Sequence, residues 1–472
     1  MSTATPHRTG AAPSVLPARP DRLRAYRSRM RAADALVAAA WTSVALAVSL
    51  LLASGGLASV RDLPSAVSAS GIVAGLVGTD LLLVMLVLAA RVPWIDRTFG
   101  QDAAMALHRR LGKPALYLIL GHGLLLTLGY ALTDGVSLWQ ETLSLSSGTD
   151  MLLALLATTL LVLVVVTSLV AVRRRFAYEA WHAIHLLSYA AVLVAVPHQL
   201  SAGQVLAEGS GQRVYWIALY ALAFGSVAWF RFARPVVLTL RHRITVESVE
   251  TIAPGVFSLH LAGRDLRRLG ATGGQYAIWR FWSRGTWWHA HPVSFSAVPT
   301  DDHARITVRE LGAGTSRLSR LRPGTSVSIE GPYGVFTEVA RTAPKLAIVA
   351  AGIGVTPARA LLEHAELEPG EATVLLRATD DTQTYLWDEM QRLVRASGGQ
   401  LFGMVGARPA GTATWMSAES VARGVTLSSA IPSLLEADLF VCGPSAWADL
   451  VIRDARLAGL PERQIHVERF DW

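Results

Sequence analysis

Six long apolar runs, at about 33–53, 71–90, 114–132, 151–172, 180–199 and 214–233, occupy the first half of the chain. Each is close to the 20 or so residues that a helix needs to cross a hydrocarbon core about 30 Å thick. The charges between them alternate. Arg19, Arg22, Arg24, Arg27, Arg29 and Arg31 precede the first run; Arg91, Arg97, Arg109, Arg110 and Lys113 lie between the second and third. Arg173, Arg174 and Arg175 follow the fourth, and Arg231 and Arg234 end the sixth, whereas the opposite loops hold only Arg61 and Arg213. Basic residues stay on the cytoplasmic side. The expectation is an integral protein of the cell membrane with both termini in the cytoplasm, so that the third and fifth runs both cross from inside to outside.

The same pattern accounts for the net charge of +8: the arginines flank apolar runs instead of forming one basic face, which argues for lipid and against nucleic acid. Cys442 is the only cysteine, so no disulfide framework and no four-thiolate metal centre can form within the chain. Residues 1–30, rich in Pro, Ala and Thr, read as a disordered cytoplasmic N-terminus without the apolar core of a signal peptide.

Histidine is out of place in such runs, because imidazole in lipid needs a partner or a function. His108 and His122 are fourteen residues apart in the third run, roughly 21 Å along a helix and about 40° short of four turns, so they face the same way near opposite membrane surfaces. His185 and His198 are thirteen apart in the fifth. Parallel helices then bring His108 to His185 near the cytoplasm and His122 to His198 near the outside. Two facing imidazole pairs are what two bis-histidine haems require; helix-packing hydrogen bonds are the bland alternative. Thirteen residues fall about 140° short of whole turns, so a kink is expected, with Pro197 as its cause. His182 is an alternative to His185 as the inner ligand. Tyr117 and Tyr189, at intermediate depth, are candidates to bridge the two sites.

The second half changes texture. "RITVESVE", "VFSLHLA", "GQYAIWRFW", "ARITVRE" and "TSVSIEGPYG" are short alternating strands of an antiparallel β-barrel over 239–340. Residues 341–472 read as buried parallel strands feeding helices, a doubly wound α/β domain. In "HPVSFSAVP", Ser294 and Ser296 can hydrogen-bond a flavin edge. In "ELGAGTSRL", Gly312 and Gly314 admit close backbone approach, and Thr315 and Ser316 offer hydroxyls to a phosphate. "AAGIGVTP" is a Gly-rich strand-to-helix turn suited to a pyrophosphate.

The order barrel, "GPYG", "AAGIGVTP", "VCGP", "HVERF" resembles the ferredoxin–NADP reductase family. With the six-run half attached, residues 30–472 resemble the ferric reductase/NADPH oxidase superfamily. The resemblance implies a six-span haem-binding domain over 31–235, an FAD-binding barrel and an NAD(P)-binding domain. It assigns His291, Pro292, Val293, Ser294 and Ser296 to the flavin motif and Gly314, Thr315 and Ser316 to the FAD phosphates. Gly352, Gly354, Thr356 and Pro357 go to the nucleotide pyrophosphate, and Cys442, Gly443 and Pro444 to the nicotinamide. Glu468 and Phe470 become the acidic–aromatic pair whose ring covers the flavin, and His108, His122, His185 and His198 the haem ligands. Ser294, Cys442 and Phe470 are then the residues nearest the reaction. Val293 stands where the family has an aromatic, with Phe295 or Trp472 as substitutes. Arg377 is the candidate for a 2′-phosphate, which favours NADPH and leaves NADH open.

The expected function is transfer of electrons from cytoplasmic NAD(P)H through FAD and two b haems to a small outer-face acceptor, oxygen or a ferric chelate. The alternative is an electron-donor subunit serving a periplasmic or membrane partner protein. A transporter with a nucleotide-binding tail would need inverted repeats and broken spans, and no convincing pair is present.

Overall fold

The computed structural model describes residues 19–56, 58–176, 178–202 and 205–470. Of the expected disordered segment 1–30, residues 1–18 lie outside them, as does Trp472, whereas from Arg19 onward the chain is helical, a correction to that expectation. The described residues divide into two compact bodies, one of Ala32–Val237 and one of Leu238–Phe470 together with Arg19–Arg31.

Six helices in the described residues are long and apolar enough to cross a membrane: Arg22–Ala53, Leu63–Ala89, Gln101–Asp134, Thr149–Ser168, Glu179–Ser201 and Gly211–His242. In regular elements these are α1 (Arg19–Ala53), α2 (Leu63–Ala89), α3 (Gln101–Asp134), a short helix α4 (Leu138–Leu145), α5 (Thr149–Ser168), α6 (Tyr178–Val194), α7 (Val196–Ser201), α8 (Gly211–Val227) and α9 (Arg234–His242). A π-helical turn, Ala228–Ala233, joins the last two.

Three boundaries differ from the sequence reading or refine it. The third span begins at Gln101 and runs through Pro114: a proline inside a helix removes one N–H and kinks the axis, but a helix packed on its neighbour tolerates the loss. The fourth ends at Ser168, where Leu169 turns extended (φ −63°, ψ 138°) before a helical turn at Val170–Arg173. The fifth breaks at Ala195, two residues before Pro197, into α6 and α7. That break supplies the rotation which thirteen ideal residues lack.

The tightest packing in this body is α2 on α3. Gly71, Gly75 and Gly78 form one face of α2. A Cβ on Gly71 would meet Leu125 and Leu126 at 3.1 Å, one on Gly78 would meet Ile119 at 3.0 Å, and one on Gly75 would overlap the His122 ring. Small residues of this kind let helix backbones approach closely in lipid, where no hydrophobic force drives association.

In the second body, six strands form the barrel: β1 (Thr245–Ala253), β2 (Val256–Ala262), β3 (Tyr276–Phe281), β4 (His291–Ser294), β5 (His303–Arg309) and β6 (Val327–Tyr333). They make two antiparallel three-stranded sheets, β1-β2-β5 and β4-β3-β6, tied by bridges Phe295–Ile306 and Thr245–Ser326. Alternation buries Phe257, Leu259, Trp279, Phe281, Ile306 and Ile329 between them. One short helix, α10 (Ala313–Leu318), follows β5.

The α/β domain has five parallel strands in the order β11-β10-β7-β8-β9: β7 (Lys345–Ala351), β8 (Ala372–Ala378), β9 (Gln400–Val405), β10 (Ala437–Pro444) and β11 (Ile465–Phe470). Its principal helices are α11 (Val355–His364), α12 (Trp387–Ala396) and α13 (Ser445–Leu457). Strands β8 and β10 flank β7, so the chain reverses its winding there, and ligands bind at the carboxyl ends of strands at such a switch point.

If the glycine face sets helix spacing, Gly75→Ala should lower the stability of the detergent-solubilised chain by about 1–3 kcal/mol, as overpacking does. Gly225→Ala on α8 has no atom within 4 Å of the new methyl and is expected to stay within about 1 kcal/mol of wild type. Thermal melting of the two variants checks the contrast.

Candidate functional site

The helical body brings the four histidines into two pairs. The rings of His108 and His185 have centroids 6.0 Å apart at an interplanar angle of 62°, and those of His122 and His198 lie 6.2 Å apart at 64°. Two metal–nitrogen bonds of about 2 Å each, plus the radius of each ring, sum to about 6 Å. A single six-coordinate iron therefore fits between the rings of either pair. His182 is not in this arrangement; its ring neighbour is Trp181. Tyr117 is 65% exposed on the outside of α3, and Tyr189 packs in an apolar cluster with Val192 and Val227, so the structure does not present Tyr117 as a bridge.

Backbone acceptors fix which ring nitrogen is available. His108 Nδ1 lies 3.1 Å from the Met85 carbonyl oxygen and His122 Nδ1 2.9 Å from that of Gly71. A carbonyl only accepts, so both Nδ1 atoms carry the proton and both Nε2 lone pairs are free for a metal. His122 and His198 also line a cavity of about 520 Å³, within the range of small-molecule and cofactor sites. Its wall is apolar apart from hydroxyls such as Thr127, Tyr130 and Thr158 and the amide of Gln199, which Trp216 Nε1 and Tyr220 OH hold at 2.8 and 3.0 Å. The imidazoles fit an iron at each pair, and at His122 and His198 the cavity adds room for a porphyrin.

In the barrel, His291 opens β4 at 8% exposure, and its buried Nε2 has no partner among the described residues. Gly314 lies so near that a side chain there would come within 3.9 Å of the imidazole. Burial first, then the charges of His289 and Arg280, push the His291 pKa down to about 4. Ser294 is buried on β4 and its hydroxyl has no partner among the described residues, and the same holds for the partly exposed Ser316 hydroxyl. Thr315 is engaged: its Oγ1 accepts from Leu311 N at 2.8 Å, closing the loop in which Gly314 sits. Pro292 is exposed, and Val293 is half-buried, its carbonyl accepting from Trp279 Nε1 at 3.0 Å. An orphaned imidazole nitrogen, free hydroxyls and a glycine turn in one place fit a flavin nucleotide.

At the switch point, Gly352 has φ +55° with open space beside it, while a Cβ on Gly354 would overlap the Cys442 carbonyl. Only glycine serves either position: one for the left-handed backbone, the other for contact between the turn and β10. Thr356 turns its hydroxyl to Ile353 O at 2.9 Å, and Pro357 is buried behind it. Gly443 and Pro444 end β10, facing Arg469 and Phe470 of β11 in register; Cys442 faces Glu468. An open glycine turn at a strand-to-helix junction fits a pyrophosphate.

A family model described as ferric reductase like transmembrane component matches residues 74–196. Ferredoxin–NADP reductase B of Sorangium cellulosum is 33% identical over 181 residues, 35% of this chain and 70% of that protein. A probable metalloreductase of Yarrowia lipolytica is 24% identical over 319 residues, 67% of this chain and 55% of that one, a stretch longer than either body. The flavohem-like FAD/NAD-binding domain of nitric oxide dioxygenase from Vibrio cholerae aligns with 48% of this chain and 98% of its own, at 22% identity and a TM-score of 0.41.

The chain belongs to the ferric reductase/NADPH oxidase superfamily. It is an integral membrane protein.

Several superfamily motif residues sit differently here from their sequence assignments. Ser296 is fully buried and engaged: Arg305 donates to its hydroxyl at 3.1 Å, and Arg305 and Arg359 both donate to its carbonyl at 3.1 Å. The two arginines then grip Glu389 of α12, Arg305 through both carboxylate oxygens at 2.9 Å and Arg359 at 2.7 Å. Ser296 therefore belongs to a clamp joining the barrel to the α/β domain, in which its hydroxyl accepts and does not donate. Sequence spacing could not show this, because Arg359 and Glu389 lie on another domain, Arg359 63 residues along the chain from Ser296. Arg377 is also corrected. Its guanidinium donates to the carbonyls of Trp415, Met404 and Gly406, and to that of Ala378, which leaves no fork for a 2′-phosphate. Arg408, just past β9, is an exposed cation at that end of the sheet. Cys442 is fully buried in a cluster with Phe440 and Ile353. Burial, then Glu468, raises its pKa well above the ordinary value, so the thiol is neutral. Phe295 is buried against Trp279, at 5.3 Å and 72°, and does not replace the aromatic missing at Val293. Phe470 remains half-buried against the cluster of β10.

The folded pKa of His291 lies below the ordinary value near 6.5, so on acidification the unfolded chain takes up a proton that the folded one refuses. Stability from this group is present above about pH 6.5 and lost as pH falls toward about 4. Melting of flavin-free protein across this window should decline more steeply for wild type than for His291→Gln.

Proposed function

We propose that this protein carries electrons across the membrane, from cytoplasmic NAD(P)H through FAD and two b haems to a small acceptor at the outer face. The observation that carries the reading is the pair of pairs: two imidazole couples at iron-bridging separation, each contributed by the same two spans. When bound, the flavin and haems supply the redox chemistry, converting a two-electron donor into single-electron carriers.

The chain's own residues bind, orient and exclude water. His108 and His185 hold the inner group, His122 and His198 the outer one, and the Met85 and Gly71 carbonyls aim the α3 imidazoles. Ser294 meets the flavin edge, while His291, Gly314 and Ser316 receive its phosphates. The turn Gly352–Gly354 receives the nicotinamide nucleotide's pyrophosphate, with Gly443 and Pro444 beside its ring and Arg408 toward a 2′-phosphate, which favours NADPH. Phe470, ending β11 next to Pro444, covers the flavin until nicotinamide displaces it, and Glu468 lies in the same strand. The clamp through Ser296 holds the two nucleotide sites in register. Acceptors of two kinds, oxygen and ferric chelates, suit an outer site whose polar wall residues are hydroxyls and one amide.

A second reading, an electron donor to a periplasmic partner protein, draws support from Trp139, 70% exposed on the outer helix α4 beside exposed Leu138 and Leu143.

Anaerobic addition of NADPH to the purified chain is expected to reduce flavin and haem, and oxygen or ferric citrate, added separately, to reoxidise it. Reduction without reoxidation by either supports the donor-subunit reading, and absence of haem reduction contradicts both. His122→Leu should lose one haem and keep a reducible flavin.

A further inference from the structure

Ser168 closes α5, and its hydroxyl has three neighbours. Oγ lies 2.7 Å from Val164 O, 3.3 Å from Trp181 Nε1 and 3.3 Å from His185 Nδ1. A hydroxyl has one proton, and the shortest contact, to a carbonyl that can only accept, takes it. Oγ must then accept from the other two. The indole Nε1–H is always a donor, and His185 Nδ1 must carry a proton as well, leaving Nε2 as the free lone pair. The indole also lies against His185 with centroids 5.1 Å apart and an interplanar angle of 27°, and the Arg173 guanidinium sits 4.5 Å from the indole ring. Tautomer and ring plane are thus both set by α5, the turn after it and Trp181, none of which is a ligand.

The two sites are not equivalent in this respect. At the inner pair both imidazoles have an Nδ1 acceptor, Met85 O for His108 and Ser168 Oγ for His185. At the outer pair only His122 has one, Gly71 O; His198 has no hydrogen bond at Nδ1 among the described residues. An acceptor on Nδ1–H raises the basicity of the ligating nitrogen. A more electron-donating ligand favours ferric over ferrous iron and lowers the reduction potential.

We propose that Ser168, steadied by Trp181, is a positioning residue that makes the inner site the lower in potential and the outer site the higher, so that the gradient from the cytoplasmic to the outer pair is written into hydrogen bonds. The proposal rests on the two-haem reading.

Optically monitored redox titration of the full-length protein tests it, with His122→Leu identifying the inner transition as the one that remains. Wild type should show two haem transitions, the inner at the more negative potential. Ser168→Ala should move the inner transition to more positive potential and leave the outer one in place, while Ser168→Thr, which restores a hydroxyl, should return the inner transition toward its wild-type position. Should Ser168→Ala lose the inner haem, retention in Ser168→Thr supports the hydroxyl's role, and loss in both variants overturns it. Two haems at unshifted potentials in Ser168→Ala overturn the proposal and leave the two-haem reading intact. A wild-type chain without haem removes both.

Discussion

An imidazole in lipid needs every polar atom accounted for, and the helical body is built around that requirement. The α2 backbone comes close enough to α3 for the carbonyls of Gly71 and Met85 to take the Nδ1 protons of His122 and His108. That approach depends on glycines at 71, 75 and 78, since any Cβ at Gly75 would occupy the space of the His122 ring. With Nδ1 satisfied, Nε2 is the one unmet need of each α3 imidazole, and it faces a partner ring on α6 or α7. The fifth span meets the same requirement differently. It breaks before Pro197, which brings His198 round to the face already occupied by His185.

The second body solves a different problem, holding two nucleotide sites in fixed register. The flavin-type residues belong to the barrel and the pyrophosphate turn to the parallel sheet, and an uncoupled pair of domains would let them drift. Arg305 and Arg359 prevent this by meeting on Glu389, with the Ser296 carbonyl between them. Nearly buried arginines converging on one carboxylate lose much if either partner is removed. A second fastening lies at the start of β10. Asp438 accepts from Thr342 N at 2.6 Å and Ala343 N at 2.5 Å, and the wholly buried Arg341 donates to Glu338 and Pro344 O. The linker between barrel and sheet is thereby pinned along its length.

What could be read from sequence follows from what is local. Hydropathy gave six spans because lipid imposes length and composition on contiguous residues. Fourteen-residue spacing placed His108 and His122 on one face, and Pro197 marked the break. The glycine turn at 352–354 was legible as a turn because positive φ demands glycine. The residues whose surroundings were not legible, Ser296, Arg377 and Cys442, share another property: each is polar, matched to a motif, and buried by distant segments. Arg377 meets carbonyls of Met404, Gly406 and Trp415, contacts that exist only once β8 and β9 are paired. The choice of His185 over His182 was also tertiary, since both lie on one helix and only the approach of α3 separates them.

The central claim is that two iron porphyrins are held by one chain, clamped between the third and fifth spans. Haem content per polypeptide, from the pyridine haemochrome spectrum of purified protein against its quantified amino-acid content, tests this most directly. The account predicts two b-type haems per chain; a ratio of one, or flavin alone with no haem, would contradict it.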